Sequence, residues 1–263
     1  KEGVDNAANE IAYYGTQVDV ICLNRSESNI ILSHMKALKK EKYDGIILVP
    51  LGLENIKGEL NDFVQGEQAL ALLNDDIQGV NRQFYIGPDN LLIGSLAGEL
   101  IGKFNKRPGK CMIVSGVHVK TKEMPVECKQ RIAGFQQVIR NEYPEIETET
   151  ITYEMFLSDE YNAVFNKLAS DKDITSIYSA DGLLNEAALA VKDSNKAGLV
   201  LVGHEMSEEV NKYLKEGIIN AAICQNPFLQ GYYALKHMSE LLIDKKAPLH
   251  EKMFINFNIY TKY

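Results

Sequence analysis

Short apolar runs alternate with amphipathic stretches almost from one end of the chain to the other, and this alternation restricts the fold more than any single motif. The runs at 18–23, 45–49, 69–73, 111–114, 148–152, 176–178, 199–202 and 221–224 are too short for buried helices and read as strands. Between them, apolar side chains spaced by three and four predict helices over 30–40, 91–104, 128–143, 161–169, 184–194, 207–216 and 230–244. Continuous apolar strands that alternate with helices form parallel sheets covered on both faces. The expected class is therefore α/β.

At 263 residues the chain is long enough for two such lobes. The stretch KRPGK at 106–110 ends one helix with a breaker pair and starts a fresh strand, which predicts a boundary at Pro108. Pro227 directly follows a strand, and Pro248 follows the last long helix. Crossings at these three places put 1–108 and 227–248 in an N-terminal lobe, and 109–226 and 249–263 in a C-terminal lobe. The expected architecture is two doubly wound parallel-sheet lobes, joined by a multi-crossing hinge with a ligand cleft between them. Residues 1–14 read as an amphipathic helix with Val4, Ala7, Ala8 and Ile11 inward. A doubly wound lobe normally opens on a strand, so a first strand is expected upstream of Lys1.

Composition narrows the function classes. A net charge of −8 with no Lys/Arg cluster repels phosphate backbones, so this chain is not expected to grip nucleic acid by itself. No apolar run approaches bilayer-spanning length, and no membrane partner is expected. The four cysteines, Cys22, Cys111, Cys128 and Cys224, include no CxxC pair, which argues against a zinc site. Cys22, Cys111 and Cys224 lie inside apolar runs and read as small core residues. Four free thiols fit a reducing cytoplasm, the expected location. None of the other histidines stands near His204 at metal-ligand spacing, so neither a metal nor another cofactor is expected. The chain lacks GxSxG, HExxH, GxxxxGK[ST] and GxGxxG, so an enzyme is not expected either. The rival enzyme reading, an Asp181–Glu205 carboxylate pair for glycoside hydrolysis, has only the two acids to support it.

The segment LVLVGHEMSEEVNKYLKEGIINAAICQNPFLQG at 199–231 carries the clearest pattern. Two apolar strands each stop at a polar side chain, one at Glu205 and the other at Gln225, with a helix between them. Both side chains are thereby aimed at one rim of a parallel sheet, and open α/β sheets bind small molecules beyond that rim. Glu205 also fits a helix-start acid, and Asp181 beside Gly182 fits a turn. Asp89 and Asn90 in GPDN, ahead of an apolar helix, read as an N-cap signature. Phe156, just past a strand end, reads as a core or rim aromatic, with stacking on a bound ligand as the alternative.

Five passages together resemble the type I periplasmic-binding-protein fold, in the branch shared by LacI-type regulators and sugar-binding transport proteins. They are GVDNAANEIAYYG at 3–15, YDGIILVPL at 43–51, YIGPDNLLIGSLAGELI at 85–101, RIAGFQQVI at 131–139 and GHEMSEEVNKYLKEGIINAAICQNP at 203–227. The resemblance implies a ligand set of Asn74 and Asp75 from LALLNDD, Arg131 from RIAGF, Asp181 from SIYSADG, Glu205 from GHE and Gln225 from ICQNP. Relatives commonly have Asp-Arg, Asn and Asp where this chain has Asn74-Asp75, Asp181 and Glu205, so the ligand is expected to be a carbohydrate of open identity. The leading implication is the effector domain of a LacI-type regulator, a homodimer that meets DNA only through an upstream helix-turn-helix. The alternative is an extracytoplasmic sugar receptor of an ABC transporter.

Overall fold

The computed structural model describes residues 1–22, 33–34, 36–38, 41, 43–50, 56–64, 68–119, 122–155 and 160–263. They form two compact units, Lys1–Pro88 with Asn226–Asn256, and Asp89–Gln225 with Phe257–Tyr263. Each unit is α/β with a parallel sheet.

In the first unit, β1 (Gly45–Leu48), β2 (Ala69–Leu73), β3 (Phe84–Gly87) and β9 (Lys252–Phe254) lie in the order β1-β2-β3-β9, all parallel. The period-two rule of strands divides their side chains between two cores. Leu70, Leu72 and Tyr85 face a helix, α2 (Lys57–Val64), through Ile56 and Leu60. Ala69, Ala71, Phe84 and Ile86 face the long helix α8 (Pro227–Ile243) through Ala234 and Met238. The first helix, α1 (Glu2–Ile11), packs Ala7 and Ile11 against Leu235 of α8.

The second unit has a six-stranded sheet in the order β10-β8-β7-β6-β4-β5. Its strands are β4 (Gly109–Val117), β5 (Ile146–Glu154), β6 (Ile174–Ser179), β7 (Val200–His204), β8 (Ala221–Cys224) and β10 (Asn258–Tyr260). All pairings are parallel except the last, where β10 runs antiparallel to β8. One face buries Met112, Val114, Ile177, Leu201 and Ala222 under α5 (Glu160–Ser170), α6 (Leu184–Asp193) and α7 (Glu208–Glu216). The other buries Cys111, Ile113, Tyr178, Val202 and Ile223 under α3 (Asn90–Phe104) and α4 (Val126–Glu142).

Several expectations need correction. The first boundary falls between Pro88 and Asp89, not at Pro108. The reason is α3, which packs on α4 through glycines: a Cβ at Gly94 would collide with the backbone of Arg131, and one at Gly134 with that of Leu91. Such close approach ties α3 to the second unit. The later changes of unit fall between Gln225 and Asn226 and between Asn256 and Phe257, the last beyond Pro248. The run at 18–22 forms no strand, and Val20, Ile21 and Cys22 are exposed, so Cys22 is not a core residue. Among the described residues no strand pairs on the outer side of β1, which leaves this run without a ladder to join. Leu23 and most of the helix expected over 30–40 lie outside the described residues.

Three strands, β3, β9 and β10, and the helix α2 escape the periodicity reading. The strands are only three or four residues long. Elements that short take their stability from the neighbours they pair with rather than from their own pattern.

Candidate functional site

In the second unit three adjacent parallel strands, β6, β7 and β8, deliver polar residues to one rim. Asp181 follows β6 by one residue beyond Ala180, Glu205 directly follows β7, and Gln225 directly follows β8. Gln225 Nε2 donates to Glu205 Oε1, so the last two are joined side chain to side chain. A Cβ built on Gly182 would lie 3.8 Å from Glu205 Cγ, so the rim is compact from β6 to β7.

Glu205 adopts a left-handed backbone with φ of 71° while its N–H donates to Ile223 O at 3.0 Å. A non-glycine residue held there costs on the order of 1–2 kcal/mol, and such strain concentrates where side-chain direction matters. Glu205 does not cap the following helix. Ser207 does, its hydroxyl accepting from Val210 N at 3.1 Å.

Asp181 is heavily engaged by the protein. Its Oδ2 accepts from Gly116 N at 2.9 Å and from Tyr153 Oη at 2.6 Å, and its Oδ1 accepts from Leu183 N at 3.2 Å. Three donors take most of the roughly four acceptor sites of a carboxylate, so much of its role is to set the shape of the turn. Behind it lies Glu160, fully buried, whose two carboxyl oxygens have no hydrogen bond of normal geometry among the described residues. Burial first, and then the neighbouring Asp181 and Glu186, push the Glu160 pKa well above the usual carboxylate range.

A ligand-gripping Arg131, as the resemblance implies it, would face a wet cleft in the free protein, whereas the structure buries it. The residue is 4% exposed, on α4, with Nε donating to Asn90 Oδ1 at 2.9 Å and Nη1 donating to Ala180 O at 3.0 Å. Its guanidinium therefore sits under the end of β6, bonded to the residue immediately before Asp181. His204, the last residue of β7, is also buried and pairs Nε2 with Tyr178 Oη at 2.8 Å. Burial and then the charge of Arg131 hold its pKa well below the ordinary value, so the ring is neutral. Tyr178 in turn stacks on Phe135 of α4 at 4.5 Å between ring centroids.

In the first unit, Asn74 and Asp75 directly follow β2. Asn74 is left-handed with φ of 69°, and its Nδ2 donates to Asp75 Oδ1 at 2.9 Å. Tyr85 Oη supports the turn by donating to Asn74 O at 3.0 Å and to Pro88 O at 3.2 Å. Asp75 is nearly buried at 8% exposure. Phe156 lies outside the described residues. The structure thus brings Arg131, Asp181, Glu205 and Gln225 together in one unit, and Asn74 with Asp75 in the other.

Asn90 has a part that the sequence reading assigned to capping alone. Asp89 is the cap, accepting from Leu92 N at 3.0 Å, and Asn90 turns inward to Arg131. The signal was present in GPDN, where two polar residues precede a helix that needs one cap. Tyr153 and Glu160 left no comparable trace.

Chemically, the second unit's rim offers carboxylate acceptors, an amide that both donates and accepts, and a guanidinium donor. Hydroxyl-rich neutral molecules match such a set, because each hydroxyl donates and accepts. Among the described residues no cluster of His, Cys, Asp and Glu could hold a metal, and no helix is long and apolar enough to cross a membrane.

Comparison with known proteins agrees with this architecture. A family model described as periplasmic binding protein domain matches residues 1–246. The ribose import binding protein of Salmonella typhimurium is 23% identical over 177 residues, 65% of this chain and 57% of that protein. The matched part therefore spans little more than half of that curated relative. A Bacteroides fragilis protein assigned as a LacI transcriptional regulator superposes with a TM-score of 0.90 at 16% identity, over 99% of this chain and 90% of the other. A glucose-galactose binding protein from Geobacillus stearothermophilus gives 0.85 at 22% identity, over 99% and 90%.

Proposed function

Because the chain belongs to the periplasmic binding protein family, whose members are binding proteins and not enzymes, we propose that it reversibly binds a small sugar. The observation that carries this reading is the rim of the second unit. Asp181, Glu205 and Gln225 stand at the ends of three neighbouring parallel strands, with Arg131 beneath them. Asn74 and Asp75, which follow β2 in the first unit, and Phe156 are kept as further candidates for sugar contact. Ribose and glucose or galactose, named for the relatives above, set the size of ligand to try first.

Within the family, the comparisons favour a receptor that delivers sugar to an ABC transporter over the regulator reading that the sequence first suggested. The curated relative is an import protein. An extracytoplasmic location goes with this proposal and replaces the cytoplasmic one. The effector domain of a LacI-type regulator, homodimeric and attached to DNA by a separate helix-turn-helix, is the second reading. It is favoured by one observation, the TM-score of 0.90 to the Bacteroides fragilis protein.

Calorimetry against D-ribose, D-allose, D-galactose, D-glucose, D-xylose and L-arabinose tests the common claim. Saturable heat with at least one is expected, together with a raised unfolding midpoint, since a ligand that binds only the folded state stabilises it. No response to any of the six would overturn the sugar reading. Fractionation of the cells that make the protein separates the two contexts. Release by osmotic shock or retention on the outer face of the membrane supports the receptor, and recovery with DNA supports the regulator.

A further inference from the structure

We propose that Asn90 is a positioning residue for Arg131: a neutral acceptor that fixes the guanidinium under the rim without neutralising it. The inference rests on the sugar-binding reading above.

Asn90 is the first residue of α3, and Asp89 already caps that helix. The helix start therefore makes no demand on the Asn90 side chain, which is free to bond elsewhere. It is nevertheless 6% exposed, and burying an amide costs free energy unless it is bonded. Its bond runs across to α4, where Oδ1 accepts from Arg131 Nε at 2.9 Å.

The second hold on Arg131 is Ala180 O, 3.0 Å from Nη1. A guanidinium is a rigid plane, so acceptors at two of its three nitrogens set both its position and its tilt. Among the described residues the third nitrogen, Nη2, has no protein acceptor, and no carboxylate forms an ion pair with Arg131. Nearby His204 is neutral, held so by burial and by Arg131 itself.

The charge of Arg131 is thus kept in a dry place with only neutral acceptors on it. A charge kept unpaired out of water is costly, and its free donor is correspondingly strong toward an incoming oxygen. Ala180 O orients the group from β6 and Asn90 orients it from α3. The backbone collision that a Cβ at Gly94 would cause with Arg131 shows how closely the two helices must approach for that bond to form.

The test uses Asn90→Leu, which keeps the bulk and removes the acceptor, and Asn90→Asp, which restores an acceptor. The Arg131 Nε–H is followed by nitrogen-edited NMR in the free protein, and calorimetry is run with D-ribose and with D-galactose. In the wild type and Asn90→Asp the Nε–H should be protected from exchange with water, and in Asn90→Leu it should exchange freely. Affinity should fall about tenfold or more in Asn90→Leu, the scale of one charged hydrogen bond, and stay low in Asn90→Asp, whose carboxylate restores the position of the guanidinium but neutralises it; full return in Asn90→Asp would overturn the part assigned to a neutral acceptor. Unchanged protection in Asn90→Leu overturns the proposal, as does affinity within about twofold of wild type once protection is lost. A wild type that binds neither these sugars nor the rest of the panel overturns the functional reading instead. A wild type that binds, with Asn90→Leu equal to it, overturns only the role of Asn90.

Discussion

Gly94 of α3 lies directly against the carbonyl of Arg131 on α4, with no room between them for even a methyl group. Gly98 meets Phe135 in the same way one turn later, and Gly134 on α4 meets Leu91. The helix pair is thus zipped by small residues at the level where Asn90 reaches Arg131.

An alanine in the middle of a helix ordinarily stabilises it relative to glycine by about 1 kcal/mol. Gly94→Ala should do the reverse. The added carbon must push the helices apart, and overpacking of this kind costs about 1–3 kcal/mol. Urea denaturation decides the sign, and a variant more stable than wild type would mean that the helices separate freely.

Arg131→Ala should destabilise the free protein by about 2–4 kcal/mol, because Asn90 Oδ1 and Ala180 O are left buried without their donor and the packing of a large side chain is lost. A surface arginine would cost almost nothing. Denaturation without any sugar present measures this, and a midpoint equal to wild type would contradict the buried setting.

Glu205 allows the backbone and the side chain to be separated. Glu205→Gly and Glu205→Ala both remove the carboxylate that Gln225 donates to, so they differ only in tolerance of the left-handed φ of 71°. Glycine should be the more stable of the two by about 1 kcal/mol. Both should lose sugar affinity, measured by calorimetry. Equal stability of the two variants would mean that the turn relaxes once the carboxylate is gone.

The pH dependence of stability has two opposed contributions from buried groups. Burial, with Asp181 and Glu186 next, raises the Glu160 pKa well above 4.5, and Tyr153 and Ser179 also face this carboxyl. Above pH 4.5 the unfolded chain releases this proton while the folded protein keeps it, so stability falls as pH rises toward the folded value. His204 acts in the other direction. Its folded pKa lies well below 6.5, so stability falls as pH drops below 6.5 and the unfolded chain takes up a proton that the native state refuses. Glu160→Gln mimics the protonated acid and should gain stability over wild type at about pH 8, with a flatter profile down to about pH 5. Urea midpoints across that range check it. An unchanged slope would show that Glu160 is ionised in the native state.

What the sequence determined by itself was local. The run at 221–224 became β8 residue for residue, Ser207 capped its helix, and Gly217 closed that helix in the left-handed conformation that a residue without Cβ adopts at no cost. Parallel order and two-faced burial followed from apolar runs alternating with helices, since each strand's pattern is carried by its own residues. Glu205 and Gln225 were legible as rim residues for the same reason, each standing where an apolar run stops. The tertiary structure decided the rest. Whether Arg131 is wet or buried depends on Asn90 and Ala180, 41 and 49 residues away in the chain. The boundary at Pro88 rather than Pro108 depends on which helix α3 can approach, and glycines on both partners settle that in favour of α4. Periodicity reports which side of an element is apolar. The partner that a buried polar group finds is a matter of distance in space, and only the packed chain sets that distance.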